Sequence, residues 1–169
     1  MPRISFDDLP DDGRLWIFPA SRPLEPTEQE ALLAEVDDFL EGWAAHGTPL
    51  RCGRSLWEDR FLLVAVDEKA AGASGCSIDT LQRRMGLLGP RMGVTLIERG
   101  PVWYRDGEEI AAVSRARFKE LAAAGEVDPE TAVVDTTLTR VAEARDGALE
   151  RPARESWHAR AFFREQLSG

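Results

Sequence analysis

Three side chains in this 169-residue sequence have the chemistry of catalysis at neutral pH: Cys76, His46 and His158. A thiol at a helix start is stabilised as thiolate by the backbone amides there, and imidazole takes and returns a proton near pH 7. Cys76 stands in "ASGCSID" (73–79), between the apolar run "FLLVAV" and the amphipathic run "LQRRMGLL". Cys76 as nucleophile and either histidine as base is the pattern of a thiol-dependent enzyme. The same stretch supports a different chemistry. Ser77 reads as the N-cap of a helix, with Ile78 its first residue and Asp79 in its first turn. Ser74, Gly75, Ser77 and Asp79 then border free amides that suit an anion. Arg22, just after the first apolar run, reads as lining the same sheet end. A plainer reading competes with both: the serine and aspartate satisfy those amides, Cys76 fills a small gap, and His46 caps a helix end.

Known motifs narrow the choice. A phosphate-cradling P-loop needs a lysine after its last glycine, and "GASGCSID" has none. A cysteine-phosphatase loop carries an arginine where this chain has Gln82. Cys52, Cys76, His46 and His158 are scattered without ligand spacing, so neither a metal site nor a cofactor is expected. Asp7, Asp8, Asp11 and Asp12 lack the spacing of a calcium loop. The net charge is −9, and residues 1–50 carry 11 acids against 3 arginines. An acidic chain repels phosphate backbones, which disfavours nucleic acid as a partner.

The elements that must hold these residues follow from periodicity. "RLWIF" (14–18) reads as a strand. Thr27, with Glu30 three residues on, reads as the cap of a helix whose face is Leu33, Val36, Leu40 and Trp43, ending at His46-Gly47. "LRCGRSLW" (50–57) and "RFLLVAV" (60–66) form a hairpin, the second strand covered on both faces. A second helix carries Ile78, Leu81, Met85 and Leu88 to Gly89-Pro90. "VTLIE" (94–98), "VWYR" (102–105) and "EEIAAV" (108–113) read as a meander with a turn at Asp106-Gly107. Ser114 caps a third helix facing inward through Phe118, Leu121 and Ala122, and "AVV" (132–134) is a further short strand. The order β-α-β-β-α-β gives an α+β class: a ferredoxin-like split βαβ core with a mixed sheet and appended meander and helices. If 50–57 is a loop, the connectivity becomes thioredoxin-like. One domain is expected over 1–169, with 1–12 a mobile N-terminus. No apolar run reaches the roughly 20 residues of a membrane span. The start lacks a secretory signal, so the expected location is cytoplasmic.

Three patches, "WAAHG" (43–47), "SGCSID" (74–79) and "SWH" (156–158), resemble those of a small uncharacterised bacterial family sometimes labelled ABC-transporter ATPase. This chain has no Walker A lysine, and the resemblance implies no activity or cofactor. What it implies is that both histidines and Cys76 lie in patches that meet. The expectation is therefore a small binding or interaction module for an anionic ligand or a protein partner, with its site at 74–79. The thiol enzyme is the alternative, and an assembly subunit using its acidic first helix is a third.

Overall fold

The computed structural model describes residues 3–69, 71–96 and 100–167. Where one domain is expected, the chain divides into two compact units. The first is 1–98 together with 139–143, and the second is 99–138 together with 144–169.

In the first unit, β1 (Arg14–Pro19) leads into α1 (Pro26–Glu41). A small hairpin follows, β2 (Ala44–Ala45) and β3 (Thr48–Pro49), then β4 (Arg51–Trp57), β5 (Phe61–Asp67) and α2 (Gly75–Arg91). The sheet order is β1-β5-β4, and both pairs are antiparallel. β1 and β4 therefore run parallel with β5 inserted between them, which is the split βαβ arrangement. The thioredoxin-like alternative falls, because 51–57 is a strand. The sheet is antiparallel, not mixed as expected, because both of its partnerships reverse direction.

Leu32, Val36 and Leu40 of α1 and Leu81, Met85 and Leu88 of α2 share one core with Leu62, Val64 and Val66 of β5. Alternate residues of a strand share a face, so both helices cover the same side of the sheet. β5 is buried along both faces from Phe61 to Val66, as its unbroken apolar run requires. Among the described residues the outer edge of β1 takes no full fourth strand. Thr139 accepts from the Leu15 amide (2.9 Å) and Thr95 accepts from that of Ser21 (3.0 Å), so short segments meet that edge near either end. Val94–Leu96 is not a strand, and the remainder of the expected 94–98 strand lies outside the described residues.

Residues 3–12 are docked, not loose as expected. The Ile4 amide donates to Cys52 O at 2.8 Å, and Leu9 is 2% exposed. Gly53 permits the approach: a Cβ there would lie 2.7 Å from Ile4 O.

In the second unit, β6 (Val102–Asp106) and β7 (Glu109–Val113) form a hairpin, followed by α3 (Arg115–Ala123) and β8 (Ala132–Val134). Ser114 caps α3 as expected, accepting from the Arg117 amide at 3.0 Å. The short α4 (Val141–Arg145) follows, its first residues counted with the first unit, then β9 (Glu150–Pro152), α5 (His158–Phe162) and α6 (Arg164–Leu167). The sheet order is β7-β6-β8-β9, again antiparallel. Arg105 on β6 forks onto Glu150 on β9 at 2.8 and 2.7 Å, tying the sheet across its middle strand. Phe118, Leu121, Val133, Ala153 and Phe163 form the core. No described helix is long and apolar enough to cross a membrane.

Candidate functional site

The turn at 74–79 begins a helix three residues earlier than expected. Ser74, not Ser77, is the N-cap, and Gly75 is the first helical residue. The two serines close a reciprocal box. The Ser77 amide donates to Ser74 Oγ at 3.1 Å, and the Ser74 amide donates to Ser77 Oγ at 2.7 Å. Glu68 adds a third closure, accepting from the Ala73 amide at 3.1 Å. The amides of Ala73, Ser74 and Ser77 are thus spent on side-chain oxygens, one of them a carboxylate's. Asp79 falls beyond the first turn and is exposed. Gly75 makes no chain reversal. It is helical, and a Cβ there would meet nothing within 4 Å.

Cys76 is exposed, and its thiol makes no hydrogen bond among the described residues. Cys52 is the opposite case, buried, with its thiol pushed up to about 12 by desolvation. Among the described residues His46 makes no bond to Cys76. His46 is exposed at the tip of the β2–β3 hairpin, in left-handed conformation (φ 51°) beside Gly47 (φ 79°). It does not cap α1, which ends at Glu41, leaving Trp43 outside the helix. His158 belongs to the other unit and has no exposed surface.

Arg22 also departs from expectation. Its guanidinium forks onto Glu28 at 2.9 and 2.8 Å and donates to Met92 O at 2.9 Å. This bond holds the Glu28 carboxyl down at about 2. Met92 caps the C-terminus of α2, whereas 74–79 forms its N-terminus. A helix of 17 residues is roughly 25 Å long. The cause is strand direction: antiparallel register sets Pro19 against Phe61, while the loop leaves the far end of β5.

Two of the three sequence patches do meet. Trp43 Nε1 donates to Ser77 O at 2.9 Å in a buried bond, which pins the hairpin to the start of α2. Beside it a shallow hollow of about 390 Å³ is lined by Asp38, Phe39, Trp43, Thr80 and Arg84, among others. Arg84 covers the ring of Phe39 at 5.6 Å.

The third patch builds its own site in the second unit. Trp157 is stacked on His158 with centroids 3.9 Å apart, and the guanidinium of Arg115 covers Trp157 at 4.9 Å. The His158 Nδ1 lies 2.6 Å from Ser156 Oγ. Burial holds the imidazole neutral, lowering it to about 4. Among the described residues, the buried indole Nε1 of Trp157 and Nε2 of His158 find no hydrogen-bond partner. Such orphans are uncommon and mark a strained or functional place. Ser156 and Trp157 line a hollow of about 690 Å³ with Arg154, Glu155, Arg160 and Arg164, among others. Arg154 is paired with Glu130 at 2.7 Å, while Arg160 and Arg164 make no ion pair among the described residues. Sequence reasoning placed the "SWH" patch but not these arginines. The signal was their closeness in the chain: Arg160 and Arg164 follow the patch directly, one on α5 and one on α6.

Among the described residues no thiol hydrogen-bonds a base, and the hollow beside α5 is lined by three arginines and one glutamate. No known protein family, curated protein or solved structure matches this chain.

Proposed function

We propose that the chain is a binding module for a small anionic ligand, and that the seat is the hollow beside α5, not the turn at 74–79. The observation that carries this reading is that Arg154, Arg160 and Arg164 line one hollow with Ser156 and Trp157, against a single carboxylate, Glu155. Guanidinium groups present planar forks that match phosphate and carboxylate oxygens. A hollow of about 690 Å³ has the size of a small-molecule site. Trp157 is fixed between Arg115 and His158, so its edge is presented without further ordering cost. At the turn the serine box and Glu68 already occupy three of the donors, those of Ala73, Ser74 and Ser77, and among the described residues Cys76 hydrogen-bonds no base.

Calorimetric titration of the full chain with inorganic pyrophosphate tests this. The wild type binds, and Arg160→Glu combined with Arg164→Glu weakens binding at least about tenfold, with an unchanged circular dichroism spectrum. Each charge-assisted bond is worth roughly 1.5–3 kcal/mol, enough for that loss. Absence of heat with the wild type, or equal binding by the double variant, overturns the assignment.

A further inference from the structure

We propose that the outer surface of the α1–α2 layer is a self-complementary interface for a second copy of this chain. Both helices lie on the same side of the sheet, and they run in opposite directions. Arg22 joins the first turn of α1 to the end of α2 through Glu28 and Met92, and Trp43 joins the far end of α1 to the start of α2 through Ser77. Asp38 and Arg84 line one hollow and so stand at the same level.

The outward stripes carry opposite charge. On α1, Glu30, Ala34 and Asp38 are exposed at a spacing of four, one helical face. On α2, Arg84, Leu87 and Arg91 are exposed at spacings of three and four. Leu87 is 60% exposed, an unusual position for a large aliphatic side chain. None of Glu30, Asp38, Arg84 and Arg91 makes an ion pair within the chain among the described residues. Each stripe rises about 11–12 Å from end to end.

A two-fold axis parallel to the helices lays α1 of one copy on α2 of the other, and the reverse. In that register Asp38 faces Arg84, Ala34 receives Leu87, and Glu30 faces Arg91, so each charge finds its opposite twice. Two helices of 16 and 17 residues offer roughly 500 Å² per copy, near the lower bound for a specific interface. The dimer is therefore weak and salt-sensitive.

Sedimentation of the full chain up to about 0.5 mM, at roughly 0.05 M and 0.5 M salt, reads this directly. The wild type shows a concentration-dependent dimer whose association weakens in high salt. Leu87→Asp weakens it about tenfold or more. Glu30→Arg with Asp38→Arg gives a monomer, as does Arg84→Glu with Arg91→Glu, and mixing these two variants restores a heterodimer. A wild type that stays monomeric, a dimer that survives in either charge variant alone, or a mixture that fails to pair overturns the proposal.

Discussion

His158 is held neutral by desolvation, with its ring between Trp157 and the aromatic side chains of Phe118 and Phe162. The unfolded chain takes a proton at this residue near pH 6.5, whereas the folded chain resists until about pH 4. Stability present above pH 6.5 is therefore lost as pH falls from 6.5 to 4, by up to about 3 kcal/mol. Urea melts at pH 7 and pH 4.5 should show that loss in the wild type, and a smaller dependence over this window in His158→Phe. A second residue-scale effect belongs to Trp43. Trp43→Phe removes the indole N–H and leaves Ser77 O without its buried partner. A cost of about 1–3 kcal/mol in the same melts is expected.

At the scale of elements, α2 shows what a sequence can and cannot declare. Leu81, Met85 and Leu88 mark its buried face at helical spacing, and the structure buries all three. Its limits were obscured because Ser74 and Ser77 are both competent caps; the reciprocal box between them settles the start on the earlier one. At the other end Gly89 is needed for closeness, not for termination. A Cβ there would stand 2.6 Å from Val94 O, a backbone atom that cannot swing aside. Gly89→Ala should destabilise by about 1–3 kcal/mol, although alanine is the better helix former by about 1 kcal/mol. Ser74→Ala should cost about 0.5–2 kcal/mol by opening the box. Thermal denaturation of each variant decides both. Arg22 was hidden for another reason. Whether distant residues share a sheet end depends on strand direction, and local periodicity carries no sign of it.

For the whole molecule, the two units should respond differently to acid. The second has His158 in its core, packed on Phe118, while the core of the first contains no histidine. Hydrogen exchange near pH 4.5 should therefore deprotect 102–134 and 150–163 before β1 and β5. Equal loss in both units would show that His158 does not govern acid behaviour. The first unit is also discontinuous: Gly13 O accepts from the Val141 amide at 2.9 Å, and Thr139 pairs with Leu15 at the same distance. It follows that a gene fragment stopping after codon 98 encodes an unfinished body. Its first strand would be left with a bare, sticky flank, and such a product should precipitate unless the pentapeptide 139–143 is spliced back or supplied in trans.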